Sequence, residues 1–305
     1  MSENGRRRIV SHQPKHEPLA TTIERVRENI GKRGTEPEFK TGLEALDRGT
    51  LGLHKSQLAV LAARPAQGKT SAATQMAFNL ADAGHKVGFI SLELTRETLI
   101  EKMFCITNRI NSRKLLTNTL TEQEWEQFRI FEKTAKELPI KIIDDYCFTE
   151  NELFTLVEHL EMRPDILILD HIQHIRTEDA RIERETLNNY LRYLKEIAMK
   201  HTIAILCLSQ INRQGDEKPT LANLKGTGAI EEIADSVIIL HQKKVKETFQ
   251  DTSENLTECI MDVAKNRFGP VGFFETLFEA HTGRFLPLSY REERSPAWYE
   301  KQSEK

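Results

Sequence analysis

Six short apolar runs constrain this chain more than any other feature. They are Leu58–Ala63, Val87–Leu92, Ile140–Asp144, Ile166–Asp170, Ile203–Ser209 and Val237–His241. Several are almost continuously apolar, the pattern of central strands in a parallel sheet covered on both faces. Between them lie helical stretches such as Ser71–Ala83, Glu150–Glu161 and Arg184–Lys200. Strand–helix alternation of this kind predicts an α/β domain with a doubly wound, mostly parallel sheet. Beyond Val237 the pattern turns strand-rich. Glu258–Lys265, Gly272–Glu279 and Arg284–Leu288 read as a C-terminal β-hairpin extension, the last two strands joined around His281-Thr282-Gly283.

A sheet buried on both faces needs a large core. With 39% hydrophobic and 29% charged residues, the 305-residue chain can supply one and is too apolar for wholesale disorder. The formal net charge of -3 excludes a strongly basic nucleic-acid coat, though not a local basic site. No apolar run reaches the ~18 residues that span a bilayer, and the N-terminus has no stretch resembling a secretory signal. The four cysteines include no Cys-x-x-Cys pair. Cys105, Cys207 and Cys259 sit in or beside apolar surroundings. They read as reduced thiols of a cytoplasmic protein rather than a metal site or disulfide framework.

Residues 1–20, with Arg6, Arg7 and Arg8, read as a flexible basic arm, solvated or touching nucleic acid. Residues 21–34 predict a helix capped by Thr21 or Thr22. Its face of Ile23, Val26 and Ile30 must dock on its own domain or on a neighbouring subunit. Residues 35–288 form the main domain, and 289–305 a charged, frayed tail.

The most specific local pattern is Ala63-Arg-Pro-Ala-Gln-Gly-Lys-Thr70, after a strand and before a helix, where a P-loop belongs. Gly68 permits the tight turn that aims backbone N–H groups at phosphate oxygens. Lys69 carries a compact charge for the β- and γ-phosphates, Thr70 a hydroxyl for Mg²⁺, and the helix its positive end. The nucleotide-contacting set is Arg64, Gln67, Gly68, Lys69, Thr70 and Ser71. Ala63 replaces the first glycine of the general pattern. Asp170 ends an apolar strand, where a carboxylate holds Mg²⁺ or simply caps the next helix. Glu93 ends the strand that begins at Val87, the next after the phosphate-loop strand, as the base that orients an attacking water or as an ordinary surface glutamate. Gln210 ends another, as a γ-phosphate sensor or a polar strand end.

Together these elements resemble the RecA-like ATPase domain of DnaB-type replicative helicases. The resemblance covers most of the chain, and it includes the leading alanine of the P-loop. It is carried by Thr41–Leu53, Ala63–Thr70, Phe89–Leu94, Ile166–Ile175, Leu208–Arg213, Leu224–Asp235 and Ala264–Pro270. It implies a RecA-like P-loop NTPase, an ATP hydrolase and DNA helicase using ATP and Mg²⁺. Such a motor moves 5′ to 3′ on single-stranded DNA as a homo-oligomer, a hexameric ring. By this resemblance Glu93 is the catalytic carboxylate, while Lys69, Thr70 and Asp170 serve phosphate and metal. Gln210 couples γ-phosphate state to a DNA loop. Arg267 is an arginine finger reaching into the next subunit's site, with Lys265 beside it. DNA contacts fall on Arg213, Lys225, Gly226 and Gly228, with Lys225 standing in for arginine and Gly226 for an acidic residue. Across Asn212–Gly228 three cations face two carboxylates, a net of +1 that a ring would multiply. That stretch has no aromatics for base stacking, so little sequence preference is expected.

The resemblance also makes the helix before the domain a linker that docks on the adjacent subunit. Only about 20 polar residues precede it, so a stand-alone motor without an N-terminal collar is expected. Such a form suits a phage, plasmid or other mobile replicon, and the expected location is the cytoplasm, of a bacterium or of the bacterial host of a phage or plasmid. A primase or a helicase loader is the implied further partner, and no membrane is. The competing classes are another RecA-like ATPase (a recombinase, or a KaiC- or RadA-type ring) and a weakly active helicase-like loader.

Overall fold

The computed structural model describes residues 18–32, 38–144, 152, 155–156, 163–172, 183–211, 219–224, 227–243 and 256–292. The chain divides into two compact units, residues 1–36 and 37–305. In the first, helix α1 spans Leu19–Lys32. Leu19, Ile23, Val26 and Ile30 are spaced at three and four residues, fall on one face, and are all exposed. A 14-residue helix of this kind is marginal in water on its own.

The second unit is built on a sheet of nine described strands. These are β1 (Leu58–Ala63), β2 (Val87–Ser91), β3 (Ile140–Ile143), β4 (Ile166–Asp170), β5 (Ala204–Gln210), β6 (Ser236–Gln242), β7 (Leu256–Asn266), β8 (Gly272–Glu279) and β9 (Arg284–Leu286). The order across the sheet is β3-β2-β4-β5-β1-β6-β7-β8-β9. The first six are parallel and the last three antiparallel. Every apolar run named above is a strand, and the C-terminal hairpin extension forms as expected.

Alternation explains why the central runs are apolar throughout. Ala59, Leu61 and Ala63 enter one core with Met76 and Leu80, while Leu58, Val60 and Ala62 enter the other with Leu194 and Ile197. Each fully buried Leu or Ile contributes about 1.5–3 kcal/mol. The helices of this unit are α2 (Glu44–Thr50), α3 (Lys69–Asp82), α4 (Arg96–Asn108), α5 (Ser112–Leu116), α6 (Glu122–Glu137), α7 (Glu183–His201), α8 (Thr227–Ile233) and α9 (Ser289–Glu292). The helix expected over Glu150–Glu161 lies largely outside the described residues.

Periodicity is weak in α4, whereas Trp125, Phe128, Phe131 and Ala135 recur every three or four residues in α6, and a cap marks the start of each. The Thr95 hydroxyl accepts from the Thr98 N–H, and Thr121 and Glu124 form a reciprocal capping box. Phe128 and Phe131 of α6 then pack on Phe104 of α4, with ring centroids 5.0 and 5.5 Å apart. The entry segment from Thr41 has a structural role. The buried Asp47 carboxylate accepts from the Thr41 N–H (2.9 Å), the Thr41 hydroxyl (2.7 Å) and the Gly42 N–H (2.9 Å), closing a turn ahead of β1.

Candidate active site

Register brings the motif-bearing strand ends to one edge. Ala63 of β1 lies beside Gln210 of β5 and Leu240 of β6, and Ser91 of β2 lies beside Asp170 of β4. The carboxyl edge of a parallel sheet is where such folds bind ligands. From β1 the chain loops through Arg64–Gly68 and enters α3 at Lys69. Gly68 has φ of 88°, and a Cβ there would stand 2.9 Å from the Phe285 ring, so conformation and space both require glycine.

Lys69 and Asp170 are both buried. The Lys69 Nζ is 3.5 Å from Asp170 Oδ1, and neither atom has a hydrogen-bond partner. The Thr70 hydroxyl donates to Asp170 Oδ2 at 2.7 Å. Burial pushes the Lys69 ammonium below its ordinary value, against the attraction of Asp170 and Glu93. A buried cation and a buried carboxylate oxygen, each short of partners, fit a polyphosphate and a divalent cation.

Glu93 follows β2 with its side chain 40% exposed, and its Oε2 is 3.1 Å from Nδ1 of buried His171. One ligand atom each from Glu93, Asp170 and His171 fall within 4.8 Å of one another. Sequence reasoning gives His171 no role, although it follows the strand-end carboxylate and lies within the segment Ile166–Ile175. As the Nδ1–H tautomer it donates to Glu93 and fixes the carboxylate's orientation. On the ATP-hydrolysing reading proposed below, His171→Ala is expected to lower turnover by roughly tenfold to a hundredfold with little change in KM. His171→Asn, which keeps a donor, should recover part of the loss. Steady-state kinetics on the two variants decides this, and an unchanged kcat in the alanine variant would refute it.

Arg64, Gly68, Lys69, Thr70, Ser71, Glu93 and Gln210 line one cavity of about 420 Å³. The Gln67 side chain turns elsewhere. Its amide oxygen accepts from the Gln242 N–H at 2.7 Å and ties the loop to β6. The opposite wall holds Lys102, Cys105, Ser112, Thr282 and Gly283, none singled out in the sequence. They come from α4, from α5 and from the turn between β8 and β9, far apart in the chain and without a motif. Cys105 is buried, which pushes its thiol up to about 11.

An ion pair of Arg109 with buried Glu279 clamps that wall, and the Thr282 hydroxyl donates to Glu279 at 2.6 Å. Burial opposes ionisation of Glu279, but Arg109 and Thr282 outweigh it and hold the carboxyl below its ordinary 4.5. The unfolded chain therefore binds more protons than the folded one in acid. The stabilisation is present above pH 4.5 and is lost as pH falls through the lowered folded value. Glu279→Gln is expected to cost about 3 kcal/mol at pH 7. Its deficit against the parent should shrink below pH 4.5 in urea melts. A deficit independent of pH would contradict the clamp.

Arg267 and Lys265 are absent from this edge. Asp235 pairs with Leu58 at the start of β1, and the Arg267 N–H donates to the Asp235 carbonyl at 2.8 Å. Ala63 is five residues further along β1, about 16 Å of strand away. The Arg267 side chain is thus out of reach of its own chain's cavity. Among the expected DNA contacts, Gly228 is exposed in α8. Arg213, Lys225 and Gly226 lie outside the described residues. The base of that segment is tethered to the cavity. The Ile211 N–H donates to the Ala63 carbonyl at 3.0 Å, and Ile211 bridges to Leu224.

The described cysteines Cys105, Cys207 and Cys259 are buried and form no disulfide among themselves. No described helix is long and apolar enough to cross a membrane.

The sequence profile of the DnaB-like helicase C terminal domain matches residues 39–287. The chain is 29% identical over 286 residues to the replicative DNA helicase DnaC of Bacillus subtilis (strain 168), covering 90% of this chain and 62% of that one. It is 30% identical over 253 residues to a probable plasmid replicative DNA helicase of Chlamydia psittaci, covering 80% and 54%. The chain thus spans less than two thirds of the length of these relatives. Among solved structures, a DnaB-like replicative helicase described with its interactions with primase superposes with a TM-score of 0.79 at 24% identity, covering 89% of this chain and 68% of that one. At that identity the likeness is one of fold.

Proposed function

The chain belongs to the DnaB-like helicase C-terminal domain family, and on that premise we propose that it is an ATP-driven motor that moves 5′ to 3′ along single-stranded DNA as a ring of identical chains, six in number. One observation carries the reading. Lys69, Thr70, Asp170, Glu93 and Gln210 gather at one edge of the sheet, while Arg267 stands at the other edge. A site of this composition is complete only when a second chain supplies the arginine.

In the assembled site, Lys69 neutralises the β- and γ-phosphates, and the N-terminus of α3 and the loop N–H groups hold them. Thr70 and Asp170 would hold Mg²⁺, which supplies charge neutralisation on the phosphates when bound. Glu93, oriented by His171, accepts a proton from water as the water oxygen bonds to the γ-phosphorus and the bond to the leaving ADP oxygen breaks. Arg267 of the adjacent chain meets the charge that develops on the γ-phosphoryl oxygens. Gln210 senses loss of the γ-phosphate. Through Ile211, held to Ala63 on one side and Leu224 on the other, it passes the change to the segment of Arg213, Lys225, Gly226 and Gly228. The exposed face of α1 docks on the neighbouring chain and stabilises the ring. A primase or a helicase loader is the further partner that this reading implies.

The test is ATP hydrolysis over a range of protein concentration, with and without single-stranded DNA, beside mass measurement of the assembly. Turnover per chain is expected to rise with concentration until the ring is populated, to be stimulated by DNA, and to drive unwinding of forked DNA. A monomer without DNA stimulation would overturn the proposal. Strand exchange without unwinding would move the chain to the recombinases.

A further inference from the structure

The side chain that most needs explaining outside the cavity is Asp235. It lies between α8 and β6 and is buried. Its Oδ2 accepts from the Leu58 N–H (2.8 Å) and from Lys195 Nζ (2.6 Å), which also donates to the Ser56 carbonyl (2.8 Å). Its Oδ1 accepts from Nη1 of Arg267 at 3.1 Å. The guanidinium is held a second time, through Nη2, by the Glu232 carbonyl at 3.0 Å. Even so, half of the Arg267 side chain is exposed, at 51%.

The register between β6 and β7 slips by one residue at Val237 and Ile238, which leaves an extra residue in β7 just before Lys265 and Arg267. Bulges of this kind re-aim the side chains beside them. Lys265 is anchored in the same corner by donating to the Glu231 carbonyl.

From this geometry we propose that Asp235 is a positioning residue for the arginine that completes the neighbouring chain's site, an inference that rests on the ring reading above. A free surface arginine samples many rotamers, and a group that acts in a transition state works best when that freedom has been removed beforehand. Asp235 removes it with one oxygen. Its other oxygen is engaged by Lys195 and Leu58, so the carboxylate is itself immobile. Two guanidinium N–H groups face the chain's own body, and the others remain for phosphoryl oxygens across the interface. Lys195 balances the carboxylate, which leaves the positive charge of Arg267 directed outward.

The experiment uses the full chain with Mg-ATP and single-stranded DNA. Asp235→Asn is expected to lower kcat by at least about tenfold, with KM for ATP within about twofold of the parent. The decisive readout is mixing. Lys69→Ala chains cannot hydrolyse ATP but carry an intact Asp235 and Arg267. Asp235→Asn chains carry an intact cavity. An equal mixture is expected to recover up to about a quarter of the parental rate, because one adjacent pair in four joins an intact cavity to a well-placed arginine. No recovery above the mean of the two variants would show that Asp235 serves only its own chain's fold and would overturn the proposal, as would a parental kcat in Asp235→Asn alone.

If Asp235→Asn fails to assemble, Asp235→Glu is mixed in the same way. It keeps the charge opposite Lys195 but displaces the oxygen that holds Arg267. The same two outcomes decide. Arg267→Ala mixed with Lys69→Ala is the control. If that pair also fails to recover, the ring reading falls. If it recovers and the Asp235 pair does not, only the present inference falls.

Discussion

Arg267→Ala is expected to lower ATP turnover by about 10³-fold or more while leaving nucleotide affinity nearly unchanged. The expectation follows from sheet geometry. Arg267 hydrogen-bonds Asp235 at the amino edge of the sheet, and the phosphate loop leaves the carboxyl edge. Its own cavity loses nothing that touches bound nucleotide when the side chain is cut back. On the proposed ring, the adjacent chain's cavity loses a group that meets the charge developing in the transition state, and such a loss appears in kcat rather than in binding. Titration with a fluorescent nucleotide gives the affinity, and single-turnover hydrolysis gives the rate. A variant that turns over at the parental rate would mean that Arg267 is a surface residue tied to Asp235 and nothing more. A variant with weakened binding and unchanged turnover would place it in its own chain's cavity, contrary to the strand register.

Removing Lys69 is the second large effect. Lys69→Ala is expected to weaken Mg-ATP binding by at least about a hundredfold and to abolish turnover, since a buried charge against a polyphosphate has no substitute in water. It also has a signature in pH. The Lys69 ammonium is depressed below 10.5 by burial, with Asp170 and Glu93 pulling the other way. Between the depressed value and 10.5 the unfolded chain binds more protons than the folded one, so this residue's penalty on stability eases as pH rises through that interval. Bound phosphates restore a partner and draw a proton back. ATP affinity in the parent should therefore fall as pH rises through the depressed value. In the parent, ATP at a hundred times its Kd should add about 2.7 kcal/mol to stability. Lys69→Ala should show neither that gain nor the pH dependence. Thermal melts with and without Mg-ATP across pH test both, and a variant still stabilised by ATP would remove Lys69 from the phosphate site.

Much of the fold was legible in the sequence because buried parallel strands leave a simple trace. Leu58–Ala63 is apolar at every position, and Ile166–Asp170 at every position before its terminal carboxylate, because both faces of each strand are covered. The loop at Gly68 and the carboxylates Glu93 and Asp170 were also readable, since each stands at the end of such a strand. The strand order was not readable. Asp170 meets Thr70 across 100 residues of chain, and Glu279 meets Arg109 across 170. Contacts at that separation depend on packing and leave no periodic mark. Helix α4 escaped for another reason. α4 alternates buried and wet positions weakly, and only its cap at Thr95 marks where it starts. His171 escaped because a histidine after a strand-end carboxylate gains significance only once Glu93 is seen 3.1 Å away.

The antiparallel strands β7 and β8 have a consequence beyond completing the sheet. Arg267 follows the end of β7, and β8 pairs with β7 along its whole length, from Gly272 opposite Val263 to Glu279 opposite Leu256. Glu279 then holds Thr282 and the turn that walls the chain's own cavity. On the proposed ring, one antiparallel ladder thus runs from the arginine offered to a neighbour to the wall of the chain's own cavity. On that reading, some coupling between adjacent sites through this ladder is the expected result. Hydrolysis curves against ATP should be sigmoidal, and loosening the ladder's cavity end with Glu279→Gln should flatten them toward a Hill coefficient of one.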